Sequence, residues 1–339
     1  MKKLIGVLLV TILMLLGCSN DEGGKQTDSS EGSKTITLKM GNITKETAQL
    51  SKTFVAIGEE LEKRTNGRIK AQYFPAGQLG NEADMLQQVN TGSLDLAMIT
   101  TAQLSSSSDA FSSWLMPFLV DTQMQGYELA ISEESMSLFD TLVNENVVGL
   151  GYASSGFRYL LSTTPITEAT DFKGYKIRTT PSPTILDFWN DLGAAPTPMP
   201  LTEVYTSLQT GVIKGVDIDS EGVVSENLTE IAKDLTPSKH MLWVAGILIN
   251  KDLWNSLSEE DQLLLQEIVT EKTKENFELV EKNEQQLLNE GEEKYGVTIH
   301  QLTDLEQFSD TVQMLHKKWG GNYPQLENFL QKAEDIRTK

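Results

Sequence analysis

Residues 154–219 read SSGFRYLLSTTPITEATDFKGYKIRTTPSPTILDFWNDLGAAPTPMPLTEVYTSLQTGVIKGVDID, and the fold turns on this stretch. Two arginines, Arg158 and Arg178, each stand at the edge of an apolar run. Lys176–Thr179 predicts a short strand, closed by a loop carrying Pro181 and Pro183. Ligand sites in α/β sheets open at such strand ends, so Arg178 sits where a ligand would arrive. A guanidinium there can hold a carboxylate through two parallel hydrogen bonds. The plainer use of either arginine is a surface ion pair with one of the chain's many acids. From Leu201 to Thr210, the residues Leu201, Val204, Tyr205 and Leu208 fall on one side, which predicts a helix ended by Gly211. The glycine-punctuated run to Asp219 then predicts a strand.

Upstream, Ile36, Leu38 and Met40 alternate as in a strand. Leu50, Phe54, Ile57 and Leu61 make the single apolar stripe of a helix, stopped by Asn66-Gly67. Arg68–Phe74 predicts the next strand. A helix capped by Asn81 turns Met85, Leu86 and Val89 inward and ends at Gly92; Leu94, Leu96 and Met98 alternate again. This order indicates an α/β lobe with a largely parallel sheet. Val147–Tyr152 predicts a buried strand approaching a second lobe, and Met241–Ile249 a central strand covered on both faces. From Ser258 to about Glu290 the pattern is one long helix with a sparse stripe, Leu263, Ile268, Phe277, Val280 and Leu287. Such an element suits a brace across two lobes. Amphipathic helices fill the tail, Leu302–Ile336.

At 339 residues the chain exceeds one ordinary core. Its net charge of −20 excludes nucleic acid and anionic membrane surfaces as partners. Lys2 and Lys3 precede an apolar run, Leu4–Leu16, too short to span a bilayer. The run ends in Leu15-Leu16-Gly17-Cys18, which resembles a bacterial lipobox with Cys18, the only cysteine, as the lipidated residue. Residues 19–34, rich in Ser, Gly and charge, predict a flexible tether with a reach of roughly 20–25 Å. A body held outside the cytoplasm is therefore expected. The catalytic inventory is poor: His240, His300 and His316 lie in no HExxH, and there is no GxSxG and no P-loop. Gly149-x-Gly151 lacks the third glycine of a dinucleotide loop, with Ser154 in its place. Asp217 to Gly222 imitates half an EF-hand, but the twelfth position is Leu228, so no calcium is expected. The charges of residues 259–294 read as a solvated helix face, and the tryptophans, including Trp189 and Trp243, as core or lobe interface.

Four segments in one order resemble a known family: TNGRIKAQYFPAGQLGNEADMLQQVNTGSLDLAM, then GFR with DFKGYKIRTTP, then LGAAPTPMPLTEVYTSLQTGVIKG, then INKDLWNSLSEEDQ. Nearly all of residues 35–320 is similar to the substrate-binding subunits of tripartite ATP-independent periplasmic (TRAP) transporters, of the C4-dicarboxylate-binding DctP type, here in lipoprotein form. The resemblance implies a two-lobed α/β clamshell of the periplasmic-binding-protein kind, with a long helix bracing both lobes. It implies a receptor, not an enzyme, that closes on a small organic acid and passes it to the small and large membrane subunits. A monomer with no cofactor and no metal is expected, and Cys18 places it as lipid-anchored on the outer face of a Gram-positive membrane or in a periplasm. The division expected is 1–18 signal peptide and lipobox, 19–34 tether, 35–155 lobe I, 156–243 lobe II, 244–283 a return to lobe I, and 284–339 the helix end with C-terminal helices on lobe II. By resemblance Arg178 pairs with the ligand carboxylate and Arg158 supports it. Glu82, Thr100 and Gln103 reach in from the first lobe, Leu201 takes a position often aromatic, and His240 matches a family histidine near the site. The family's DGxEN reads Lys214-Gly215-Val216-Asp217-Ile218 here, so Ile218 replaces the asparagine that helps hold the carboxylate. That leaves Arg178 with less help, or brings Asp217 or Asp219 into a ligand role. A receptor for an uncharged or cationic solute, and a secreted enzyme with an unrecognised acidic pair, stay open as alternatives.

Overall fold

The computed structural model describes residues 35–303, 306–320 and 324–339, so Cys18 and the tether lie outside the described residues. β1 (Ile36–Gly41) leads into α1 (Gln49–Arg64), which buries Leu50, Phe54, Ile57 and Leu61, the stripe its period predicts. β2 (Ile69–Phe74) returns parallel to β1. α2 (Glu82–Thr91) starts with reciprocal caps between Asn81 and Asp84 and stops at Gly92 in the left-handed conformation. β3 (Leu96–Thr100) joins the other side of β1, again parallel. Next come α3 (Thr101–Leu104), α4 (Gln123–Ala130) and α5 (Glu133–Met136), with 3-10 segments between them. Each is too short for an apolar period to register in the sequence.

β4 departs from the sequence expectation. It runs Val147–Ser162 and does not end at Tyr152. Its glycines interrupt the apolar pattern, yet extended backbone passes through them with register shifts between Gly149 and Gly151 and between Ser154 and Gly156. At Gly156, φ is +101° and a Cβ would meet Ser220 Oγ at 2.0 Å, so the second shift requires glycine. The chain continues through β5 (Lys176–Thr179), α6 (Pro183–Asp191), β6 (Ala195–Pro198), α7 (Val204–Gln209), β7 (Gly215–Asp219) and α8 (Ser220–Ser225). Leu201–Glu203, expected in the helix of α7, form a 3-10 turn leading into it. β8 (Asp234–Thr236), β9 (Leu242–Asn250), α9 (Lys251–Ser256), α10 (Glu259–Tyr295), β10 (Thr298–Ile299), α11 (Glu306–Gly320) and α12 (Pro324–Arg337) complete the order.

The strands form one sheet in the order β2-β1-β3-β9-β4-β7-β5-β6, with β8 on β4 and β10 on β8. The fold is α/β with two lobes, each built on one end of this sheet. The sheet is mixed: β9 is antiparallel to β3 and β4, and β4 to β7. β4 belongs to both ends. Val147–Phe157 pairs with β9, and from Arg158 onward the strand pairs with β7 and then β8. Every residue of β9 is buried, as a strand covered on both faces must be.

α10, 37 residues long, is capped by the Ser258 hydroxyl, which accepts from Asp261 N. Its inward row is Leu265, Ile268, Thr273, Asn276, Phe277, Val280, Glu284 and Leu287. Leu263, expected in that row, is 65% exposed. The inward position before Leu265 belongs instead to Asp261, which is ion-paired with Arg68. The helix grips β4 at its second shift. Asn276 Oδ1 accepts from Ser154 N at 2.6 Å and Nδ2 donates to Ser154 O at 3.1 Å, while Glu284 Oε1 accepts from Phe157 N at 2.8 Å. No helix among the described residues is long and apolar enough to cross a membrane. Asn276→Ala would leave both buried Ser154 backbone groups without this side chain and should lower unfolding free energy by about 2–4 kcal/mol. Urea denaturation at neutral pH measures the change.

Candidate ligand-binding site

A cavity of about 220 Å³ opens where β4 changes partners. Its walls come from separate segments. The N-terminal segments supply Ile43, Thr44 and Leu50, then Asn81 and Glu82 at the start of α2, then Thr100 at the end of β3 and Gln103 in α3. The later segments supply Ser155, Arg158, Arg178, Thr180, Pro181, Pro200, Leu201, Ile218, Asp219 and Trp243. Of the residues singled out in the sequence, Arg178, Arg158, Glu82, Thr100, Gln103, Leu201, Ile218 and Asp219 line this cavity. Asp217 and His240 stand behind the lining.

Arg158 is buried and committed. Its Nε donates to Asp217 Oδ1 at 2.6 Å, a terminal nitrogen donates to the Asp217 carbonyl, and the other lies 3.6 Å from Asp219 Oδ2. The guanidinium carbon sits 4.0 Å over the Trp243 ring, a cation–π contact. Asp217 is fully buried, and Trp189 Nε1 donates to its second oxygen at 2.8 Å. His240 Nε2 lies 3.4 Å from Asp217 Oδ1, its Nδ1 is 2.7 Å from Ser238 Oγ, and its ring stacks on Phe188. Burial would raise the Asp217 carboxyl, but Arg158 and His240 overcome it and hold the group well below the usual carboxylate range. Asp219 caps α8, accepting from Gly222 N at 2.8 Å and Ser155 Oγ at 2.7 Å.

Arg178 is arranged differently. Nε and one terminal nitrogen donate to the Met199 carbonyl at 3.1 and 2.9 Å, and the other terminal nitrogen donates to the Asp217 carbonyl at 3.4 Å. All three bonds end on two main-chain carbonyls, and no carboxylate touches this cation among the described residues. A guanidinium has five N–H groups, which leaves one on each terminal nitrogen. Burial and the Arg158 charge bring its pKa down to about 10, so it stays protonated at neutral pH. Opposite, Glu82 accepts from Thr100 N at 2.6 Å and Thr100 Oγ1 at 3.0 Å. Burial raises its pKa, with the Thr100 donors and the Arg178 charge opposing.

The set is one guanidinium held by main-chain carbonyls, a second paired with Asp217, and polar side chains from separate segments of the chain. The bacterial extracellular solute-binding protein family 7, DctP, matches residues 40–322. A solute-binding protein of Roseobacter denitrificans is 32% identical over 228 residues, 67% of this chain and 70% of that protein. The 2,3-diketo-L-gulonate-binding periplasmic protein of Escherichia coli is 28% identical over 299 residues, 86% and 90% of the two chains. A TRAP periplasmic solute-binding protein of Xanthobacter autotrophicus, solved with β-D-galacturonate, superposes with a TM-score of 0.82 at 28% identity, covering 88% of this chain and 99% of that one. Fold and site thus define a two-lobed solute receptor that works outside the cytoplasm. The chain belongs to solute-binding protein family 7, the receptors of TRAP transporters, which are not enzymes.

Because the folded Asp217 pKa lies below its unfolded value, the pair contributes stability that is present above the unfolded pKa, about 3.9, and lost as pH falls below it. Asp217→Asn should therefore show a shallower acid slope than the wild type when unfolding free energy is followed from pH 7 down to pH 3. Arg158→Ala, which strands the buried carboxylate, should cost about 3–5 kcal/mol at pH 7.

Proposed function

We propose that this chain is a lipid-anchored receptor that captures a small carboxylate outside the cell and delivers it to the small and large TRAP membrane subunits. The observation that carries this is Arg178: a buried cation in the cavity wall, held by main-chain carbonyls, with an N–H on each terminal nitrogen unused. In a chain of net charge −20, distant charges repel an anion, so close guanidinium contact must supply the attraction. The Escherichia coli relative is named for a keto acid and the Xanthobacter structure holds a uronate; both ligands carry a carboxylate. Cys18 is the anchor and 19–34 the tether. Lobe I is 35–155 with its return through 244–283, lobe II is 156–243, and 284–339 packs on lobe II. The receptor acts as a monomer. Contacts from Glu82, Thr100 and Gln103 on one side and Arg178, Leu201 and Ile218 on the other draw the lobes together, and the closed form is what the membrane subunits meet. Asp217 and His240 serve by holding Arg158.

A thermal-shift screen of the full chain against mono- and dicarboxylates, sugar acids, keto acids and neutral analogues tests this. A ligand at about a hundred times its Kd adds ~2.7 kcal/mol, a rise of several degrees at this size. Acids should raise Tm, and Arg178→Ala should abolish the rise. Neutral compounds that shift both proteins equally would sink the reading.

A further inference from the structure

Two charged side chains of the cavity wall have no charged partner. Its lining carries two guanidiniums, Arg158 and Arg178, and two carboxylates, Glu82 and Asp219; Asp217 directly behind adds a third carboxylate. Asp217 is met by Arg158 and has His240 Nε2 3.4 Å away, so the two charged groups of the lining left without a charged partner are Arg178 and Glu82. Arg158 is spoken for by Asp217 and faces Asp219 at 3.6 Å. Arg178 has only carbonyl partners, and Glu82 has only the two Thr100 donors. No lysine, arginine or histidine among the described residues forms an ion pair with Glu82. So the cavity presents one cation without a contacting anion and, from the other lobe, one anion without a contacting cation. A ligand that brought only a carboxylate would take up Arg178 and leave Glu82 without a contacting cation in a largely desolvated space, where an unpaired charge is costly.

We propose that the ligand is a zwitterion, an amino or ammonio carboxylate whose carboxylate meets Arg178 and whose cationic nitrogen meets Glu82. This rests on the carboxylate reading of Arg178 and adds the second pole. The ligand then brings no net charge into the cavity. It also touches both lobes, Arg178 on β5 and Glu82 at the first turn of α2, so one small molecule ties the two ends of the sheet together. Burial raises the Glu82 pKa; the N-terminus of a ten-residue helix and a cation brought by the ligand both favour its ionised form. The apolar remainder of the wall, Ile43, Leu50, Ile218 and Trp243, suits a short hydrocarbon frame between the poles. Ile218 offers no hydrogen bond there to a polyol chain.

Calorimetric titration of the full chain would use α- to ω-amino carboxylates and N-methylated betaines, each beside its hydroxy-acid and desamino counterparts. The amino form of at least one frame should bind about tenfold or more tightly than both counterparts, the scale of a charge-assisted contact. Glu82→Gln keeps an acceptor for Thr100 N and a donor for Thr100 Oγ1, so it should retain the wild-type Tm while erasing the preference. Arg178→Ala should remove binding of every form. Hydroxy or desamino acids that bind through Arg178 as well as the amino acids do, or a preference that survives Glu82→Gln, would overturn the zwitterion proposal alone. If no acid of either kind binds, the carboxylate reading falls and takes this proposal with it.

Discussion

The buried pair of Arg158 and Asp217 is the interaction on which the rest is built. Asp217 lies on β7 and Arg158 on β4, at the residue where β4 exchanges β9 for β7 as its partner. Trp189 from α6 and His240 close around the same carboxylate, and the Asp217 carbonyl accepts from both arginines. A carboxylate this deep is tolerated because its oxygens meet donors and a full positive charge. The Asp217 carboxylate therefore gathers four segments, β7, β4, α6 and the approach to β9, that no local turn or period would bring together. It also determines which arginine is left for a ligand. With Arg158 consumed by the fold, Arg178 is the cation that remains in the wall.

How far the sequence foretold this depends on the range of each interaction. Helices and strands with a clear period, such as α1 and β9, are legible because neighbours a few residues apart decide them. Arg178 was legible too, since a strand end before a proline loop is a local feature. Arg158 was visible as a residue, but its commitment to Asp217 was not, because the pairing spans 59 positions and leaves no spacing to read. The same holds for Trp243 and Ser155, cavity residues placed only when β4 and β9 align. β4 reads shorter in the sequence than it is because its glycines imitate a stop, whereas register shifts carry extended backbone through them. Leu263 misled for the opposite reason: a leucine fits a stripe by type, yet an acidic residue paired to Arg68 took the inward place.

The two lobes are joined by extended chain and not by slack linkers. β4 is shared between the sheet ends, and α10 fastens onto it with Asn276 and Glu284 beside the shift at Gly156. Burial pushes the Glu284 carboxyl up, and Phe157 N and Gln123 Nε2 stabilise its charge. A brace attached at the same point as the strand's irregularity limits the directions in which that strand can bend.

The Met199 carbonyl has one more effect. It accepts from Arg178 twice, so the long side chain gives up its rotational freedom when the protein folds and not when a ligand arrives. An arginine that swung in solvent would surrender that entropy at every encounter and would adjust to acids of many shapes. This one is a rigid template. Differences in affinity between candidate ligands should then reflect how well each molecule is itself shaped, with little accommodation from the protein at that pole.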